Sequence, residues 1–245
     1  TKLGMPVPPG FIITTEACEE FFGPKRDMLD ELVKQIEKNP PPEIRNKLIE
    51  EIWRIVDALE LPEGLMDQVI KELRDLEAKT GKLFGHPDNP LLVSVRSGAP
   101  ISMPGMMDTV LNLGLNDETV IGLANQTNNF RFAYDAYRRF LQLFGKIVLG
   151  INEKLFEEEL ERIKKKYNAE QDIDIPTEGL VELVEAYKKI IINEKGFFPH
   201  DPYLQLKLAI KAVFRSWMNP RAIFYRVMNK ITKDIANCTA VNVQT

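Results

Sequence analysis

The sequence predicts a mixed α/β fold of the α+β kind, in which an all-helical segment separates two parts that carry strands. Short β-branched runs, which are typical of strands, occur towards both ends of the chain: from Phe11, at 91–97 and at 239–244. Residues 117–199 instead show helical periodicity without an alternating β-branched run. We therefore expect an α/β subdomain formed by 1–116 plus 200–245, with a helical subdomain, 117–199, inserted in it.

The first part alternates strand and helix signals, and proline-rich breaks separate them. Thr15 is suited to cap a helix, and Pro42 fits a first helical turn, where its missing N–H is not needed. The elements predicted here are, in order: a strand from Phe11, a helix after Thr15, helices across 26–82 with breaks at 39–43 and 61–64, and strands within 91–97 and 106–115.

The later elements are predicted from apolar faces and lysine-rich helix ends. Lysines in the last turn of a helix interact favourably with its dipole, and Pro220 fits the first turn of another helix. The elements predicted here are, in order: helices from 117, at 129–149, 152–167, 176–196, 202–218 and 219–231, and a strand at 239–244.

Composition is that of an ordinary globular protein. The 245 residues are 44% hydrophobic and 28% charged, and 32 basic against 36 acidic residues give a net charge of −4. A nucleic-acid-binding surface needs a basic excess on one face, and a membrane span needs about 20 consecutive apolar residues. Neither pattern occurs, so nucleic acid and membranes are not expected partners.

Two cysteines, Cys18 and Cys238, lie far apart in the sequence. Without a recognisable signal sequence they indicate a reducing compartment and not a disulfide scaffold. Together with two widely spaced histidines they form no zinc motif. We therefore expect a cytoplasmic protein.

Arg96 is the first candidate for chemistry. It follows an apolar run that predicts a strand, and it lies at the predicted end of that strand. The segment "SGAPISMPGM" comes next and contains glycines and little charge. A guanidinium fits phosphate oxygens, and glycine-rich backbone can approach an anion closely. The other interpretation, a surface arginine beside a well-packed loop, stays open at this point. His86 and His200 are interpreted as surface or capping residues.

Five motifs resemble one protein family. They are, in order, "LGMPVPPGFIITTEAC", "LLVSVRSGAPISMPGMMDTVLNLGLND", "NNFRFAYDAYRRFLQLFG", "AVFRSWMNPRAIFYRVMN" and "TAVNVQ". Together they resemble the N-terminal nucleotide-binding region of pyruvate, phosphate dikinase, over nearly the whole chain. The resemblance implies a partial ATP-grasp-like fold that holds ATP with Mg²⁺.

The resemblance also implies an activity for the parent protein, that of a phosphotransferase. The β-phosphoryl group of ATP passes to a histidine on a separate swivelling domain of the same full-length chain, and inorganic phosphate takes the γ-phosphoryl group. The histidine then phosphorylates pyruvate, so that ATP, phosphate and pyruvate exchange with AMP, pyrophosphate and phosphoenolpyruvate. A homo-oligomeric parent is expected.

Four residues match phosphate-binding positions of the family. Arg96 and Arg139 match its phosphate-contacting cations, and Gly105 and Met107 match loop residues whose backbones approach the terminal phosphates. Arg96 also matches the residue expected to stabilise the phosphoryl group during catalysis.

Other parts of the family's site have no counterpart in the sequence. Its lysine lies upstream of Thr1, and Lys2 does not match it; its glycine-rich hairpin and acidic metal-binding strand lie beyond Thr245. The resemblance therefore implies a fragment without metal ligands of its own, inactive alone and without tight binding of ATP or Mg²⁺.

Two alternatives remain. Phosphoenolpyruvate synthases share the valine-arginine-serine core but follow it with a different loop. A docking module without catalysis is the second alternative.

Overall fold

A four-stranded antiparallel sheet forms the centre of the fold. The computed structural model describes residues 7–99, 101, 103, 105–233 and 235–245. The strands are β1 (Gly10–Ile13), β2 (Leu83–Phe84), β3 (Pro90–Leu91), β4 (Val93–Gly98), β5 (Thr109–Leu113) and β6 (Ala240–Gln244). The main sheet has the order β1-β6-β4-β5, and β2 and β3 form a separate parallel pair.

One face of the main sheet is apolar and buried. Alternate side chains of each strand point to this face, because the period of a strand is two. Its β-branched residues are at most 6% exposed: Ile13, Val93, Val95, Val110, Val241 and Val243. The remaining side chains of each strand, including that of Arg96, point to the opposite face.

A bulge in β5 keeps this pattern in register. Val93 pairs with Leu113 and Val95 with Val110, so β5 contains one residue more than β4 over the same stretch. Asn112 adopts a φ of +58°, a left-handed conformation that asparagine tolerates better than most residues. Val110 and Leu113 consequently both remain buried.

Helices make up most of the remainder. They are α1 (Thr15–Phe22), α2 (Arg26–Glu37), α3 (Pro42–Asp57), α4 (Leu65–Thr80), α5 (Thr119–Thr127), α6 (Phe130–Leu143), α7 (Glu153–Lys166), α8 (Thr177–Lys195), α9 (Pro202–Ser216) and α10 (Pro220–Met228). Short 3₁₀ turns occupy Gly23–Lys25 and Asp172–Asp174, and Phe144–Val148 extends α6 as a π-turn. No helix in the described part of the chain is long and apolar enough to cross a membrane.

The predicted mixed α/β fold class is confirmed, with local corrections. Pro42 and Pro220 begin helices as expected, but Thr14 and not Thr15 occupies the cap position before α1. The helix predicted over 129–149 changes from α to π geometry at Phe144. Strand β2 was not predicted, because two residues are too few to show a period, and the strand predicted at 91–97 is interrupted at Leu92, between β3 and β4.

A buried glutamine fixes the segment after β5 to α9. The Gln205 side chain accepts a hydrogen bond from Gly114 N at 3.1 Å and donates to the carbonyls of Leu115 and Pro199 at 3.0 and 2.9 Å. A buried amide with three partners satisfies itself and three backbone groups that water cannot reach. These bonds hold the two predicted subdomain boundaries, 116/117 and 199/200, next to each other.

Between those boundaries, residues 117–199 contain helices and no strand. The Asn116 side chain donates to the carbonyl of His200 at 3.0 Å, so the chain enters and leaves the helical segment at adjacent points. Lys188 on α8 pairs with Asp117 at 2.9 Å. This arrangement supports an inserted helical subdomain, although the division at 116/117 and 199/200 stays a prediction.

The expectation for the cysteines is wrong, because Cys18 and Cys238 form a disulfide with their Cα atoms 6.0 Å apart. The two residues are 220 positions apart in the sequence, but α1 packs against β6, and Cys238 lies just before that strand. Both side chains are fully buried. Sequence spacing could not show this pairing, because it depends on the tertiary fold.

We predict that reducing this disulfide lowers the free energy of unfolding by about 2–5 kcal/mol, because the cross-link restricts a long segment of the unfolded chain. Urea unfolding with and without dithiothreitol measures the change. The Cys18→Ala/Cys238→Ala double variant is the control, since its unfolding should not respond to the reductant. Equal midpoints for the untreated and reduced wild-type chain would contradict the prediction.

Candidate functional site

The face of the sheet opposite the buried valines carries a row of side chains that crosses all four strands. Ile12 pairs with Asn242, Asn242 with Arg96, and Arg96 with Thr109. Ile12 is 63% exposed, and Arg96 is also exposed, whereas its neighbour Val95 is fully buried. We call these four residues the Arg96 row.

The sequence pattern suggested that Arg96 lies at the end of its strand, but Arg96 lies inside β4. The strand continues for two residues to Gly98, because Ser97 and Gly98 still pair with Val241 and Ala240. Within the described residues, the Arg96 side chain forms no hydrogen bond or ion pair. Its guanidinium is therefore an available cation on a strand that is paired with β6 on one side and with β5 on the other.

Gly98 keeps the surface next to Arg96 low. A Cβ at this position would lie 2.9 Å from Nδ2 of Asn242 and 3.6 Å from Cβ of Ala240. Any other residue would therefore have to displace the Asn242 amide. Glycine allows the backbone of β4 and its surroundings to be approached closely from this side.

The segment between β4 and β5 contains the other two loop candidates. Gly105 is exposed and adopts a φ of +71°, which favours glycine. Met107 is half-buried and packs against the hydrophobic core, and Met106 N donates to Met103 O at 3.1 Å. Of this motif, Pro100, Ser102 and Pro104 lie outside the described residues. The contact of Gly105 and Met107 with phosphates stays a prediction.

The two arginines of "YRRF" have different environments. Arg138 is buried, with a side chain 4% exposed, and forms ion pairs with Asp135 at 2.9 Å and Asp172 at 2.8 Å. Arg139 is 58% exposed and pairs only with Asp135 among the described residues, at 3.0 Å. Arg138 therefore ties α6 to the turn at Asp172, while Arg139 remains accessible to solvent and ligand.

Arg139 lines a surface cavity of about 460 Å³, which we call the Arg139 cavity. Arg138 lines it as well, and Lys146, seven residues beyond Arg139, supplies a third cation there and pairs with Glu153. Sequence reasoning missed Lys146, although seven residues correspond to nearly two helical turns and place it on the same side as Arg139.

Strand β5 carries a residue of the Arg96 row and a residue of the Arg139 cavity. Thr109 pairs with Arg96, and Leu111, two residues along the strand, lines the Arg139 cavity. Strand β5 thus links the two parts of the candidate site.

Neither histidine belongs to this site. His86 Nδ1 accepts hydrogen bonds from the backbone N–H groups of Asp88 and Asn89, both at 3.2 Å, which confirms its capping role. The His200 ring packs edge-on against Phe198 with centroids 5.1 Å apart. Across the residues that the structure describes, no group of three or more His, Cys, Asp or Glu side chains is arranged to hold a metal ion. Arg96 and Arg139 are exposed cations of this site.

Known proteins provide an independent comparison. The family model described as "Pyruvate phosphate dikinase, AMP/ATP-binding domain" matches residues 1–245. Over 244 residues, 99% of the chain, the sequence is 46% identical to a pyruvate, phosphate dikinase of Entamoeba histolytica and 48% identical to one of Giardia intestinalis. Over the same share it is 45% identical to pyruvate, phosphate dikinase 1, chloroplastic, of Arabidopsis thaliana.

The matched region is only part of each relative. The chain spans 24% of the Entamoeba and Giardia proteins and 22% of the Arabidopsis protein. The family model, in contrast, covers the chain from its first residue to its last. The chain therefore belongs to the pyruvate phosphate dikinase AMP/ATP-binding domain family.

Proposed function

We propose that this chain supplies the phosphate-binding side of the AMP/ATP site of a pyruvate, phosphate dikinase. The observation that carries the proposal is Arg96, an exposed cation without a described partner in the centre of an open sheet face. The core beneath this face is closely packed with valines, so the strand that carries Arg96 is held rigidly. A rigid cation can stabilise phosphoryl charge without reorganising during the reaction.

In this proposal, three groups act on the phosphates. The forked guanidinium of Arg96 binds phosphate oxygens on the open face, and Arg139 contributes positive charge from beyond β5. The backbone at Gly105 and Met107 closes over the terminal phosphates, where N–H groups can donate to their oxygens. Mg²⁺, when bound, would neutralise part of the phosphate charge. The described residues offer cations for phosphate but contain no group of three or more His, Cys, Asp or Glu side chains arranged to hold the metal.

The whole reaction belongs to the proposal and involves more than this chain. The β-phosphoryl group of ATP would pass to a histidine on a swivelling domain of the full-length protein, and inorganic phosphate would take the γ-phosphoryl group. Pyruvate would receive the phosphate from the histidine, giving phosphoenolpyruvate, with AMP and pyrophosphate as the other products. An ATP-grasp-like arrangement and a homo-oligomeric parent are parts of the same proposal. The names of the relatives support the dikinase branch over the synthase branch.

The cytoplasmic location remains a prediction. The disulfide removes one of its sequence arguments, since Cys18 and Cys238 do not remain as free thiols. Several plant relatives carry "chloroplastic" in their names, which is said of those proteins and not of this chain. Fractionation of the source cells, with detection of the full-length protein, tests the location directly.

We predict that Arg96→Ala in the full-length parent slows the ATP/phosphate half-reaction on the order of 10²-fold or more, as expected for the loss of a main electrostatic donor. Arg96→Lys should restore only part of the rate, since an ammonium cannot make the forked contact. The half-reaction from phosphohistidine to phosphoenolpyruvate should be unchanged. Rapid-quench measurement of both half-reactions gives the rates.

Arg54→Ala is the matched control for Arg96, because Arg54 is an exposed arginine paired with Glu51 on its own helix. It should alter neither half-reaction. An ATP half-reaction at wild-type speed in Arg96→Ala would show that Arg96 is a surface arginine and would end the proposal.

The neighbouring arginines of α6 allow a paired prediction. Arg139→Gln should weaken the ATP/phosphate half-reaction in the full-length parent while leaving the unfolding midpoint of this chain nearly unchanged, because Arg139 is exposed. Arg138→Gln should instead lower the free energy of unfolding by about 3 kcal/mol, since it leaves Asp135 and Asp172 without their buried partner. Urea unfolding and half-reaction rates compare the two; the reverse pattern would contradict the assignment.

We also predict that the 245-residue chain alone has background dikinase activity. The relatives that carry the name are much longer, and the chain covers 24% of the first two. Release of AMP that depends on pyruvate and phosphate is the measurement, with the full-length parent as positive control. Clear turnover by the chain alone would mean that the proposed division of the site is wrong.

A further inference from the structure

A second group of cations lies between α2 and α10. It surrounds a cavity of about 180 Å³, which we call the Arg226 cavity. The charged side chains that line it are Arg26, Lys34, Arg226 and Lys233, against Asp30 and Glu37. Four positive and two negative groups leave an excess of two positive charges. None of its lining residues belongs to the Arg96 row or the Arg139 cavity.

Arg226 and Arg26 are half-buried, whereas Lys34 and Lys233 are exposed. The Arg226 guanidinium stacks 4.1 Å from the centroid of the Trp217 ring, and Nη1 donates to the Trp217 carbonyl at 2.7 Å. Burial, with a smaller contribution from the charge of Arg26, lowers the pKa of Arg226 to about 10. No carboxylate in the described part of the chain forms an ion pair with it. The tryptophan fixes the guanidinium but supplies no negative charge.

Neither acid of the cavity pairs with Arg226 among the described residues. Arg26 donates to the backbone and side chain of Asn237 and lies 3.4 Å from Asp30. Asp30 is also paired with Lys233, so one carboxylate serves two cations. Glu37 is exposed to solvent. Arg26 therefore shares its counter-charge with Lys233, and Arg226 has none among the described residues.

A half-buried cation without a counter-charge is unfavourable, because it has lost part of its hydration without gaining a negatively charged partner. An anion from solution can supply the missing charge, and arginine is the side chain best suited to bind the oxygens of phosphate. The cavity volume is adequate as well. One water occupies about 30 Å³ in the liquid, so 180 Å³ accommodates a tetrahedral oxyanion.

We propose that the Arg226 cavity is a binding site for a small phosphate-type oxyanion, held by Arg226 and Arg26. Such a site lies outside the proposed ATP site and depends on none of its residues. Its occupant is either free inorganic phosphate or the phosphoryl group of a nucleotide, which share the same oxygens and charge. Binding there would join α2 to α10 and to the segment before β6.

The experiment titrates inorganic phosphate into the Arg96→Ala/Arg139→Ala variant of this chain and measures binding by isothermal titration calorimetry. Removing the two arginines of the proposed ATP site leaves the Arg226 cavity as the site under test. We expect saturable binding that Arg226→Gln and, separately, Arg26→Gln weaken at least tenfold. Arg54→Gln is the matched control and should leave the dissociation constant unchanged.

Two variants guard against loss of folding. Arg26→Gln leaves the contact between Arg226 and Trp217 in place, and circular dichroism shows whether each variant is folded. If Arg226→Gln does not fold, Arg26→Gln decides the question. A folded Arg26→Gln variant that binds phosphate as well as its parent overturns the proposal, as does the absence of phosphate binding to the starting chain.

The remaining outcomes identify the occupant. Displacement of phosphate by AMP, in competition at the same site, indicates a nucleotide phosphoryl group, whereas phosphate binding that AMP does not affect indicates the free anion. Asp234, next to Lys233 in the sequence and outside the described residues, is the chain's own alternative source of negative charge. Phosphate binding that occurs only in Asp234→Asn would overturn the proposal in favour of that carboxylate.

Discussion

The position of β6 between β1 and β4 is the constraint on which the rest of the structure depends. Residues 241–244 pair with 10–13 on one side, and residues 240–244 pair with 94–98 on the other. Both pairings join segments more than 140 positions apart, and such contacts form only after a costly loop closure. Without β6, the first strand would have no neighbour in the sheet, and Arg96 would lie on an edge strand.

The alternation of side chains along β4 serves both the stability of the fold and the candidate site. Val95 and Arg96 are neighbours, and the alternation of β4 sends one into the core and the other to the open face. Burial of the valines orders the strand, and the ordered strand holds the cation in place. The bulge at Asn112 extends this relation, since it keeps both Val110 and Leu113 of β5 buried on the inner side.

The sequence predicted what local periodicity encodes and missed what depends on distant contacts. Helices α2 to α4 followed from apolar spacing and from the breaks at 39–43 and 61–64. Arg96 followed from the apolar run and glycine-containing loop around it, and a family resemblance supported it together with Arg139. The disulfide and the partial burial of Arg226 depend on packing between segments that the sequence does not place together. Likewise, Arg138 and Arg139 are identical in sequence terms, and only the fold shows that one is buried and the other exposed.

The disulfide makes a closed covalent ring of the chain from Cys18 to Cys238. Strand β1 lies just before this ring and β6 just after it, so the two paired strands are attached to its junction. A protease that cuts once anywhere within the ring, for example in the turn around Asn168, opens it but separates nothing. The disulfide keeps the two fragments in one molecule until a reductant is added. Until then, β1 and β6 stay tethered next to each other.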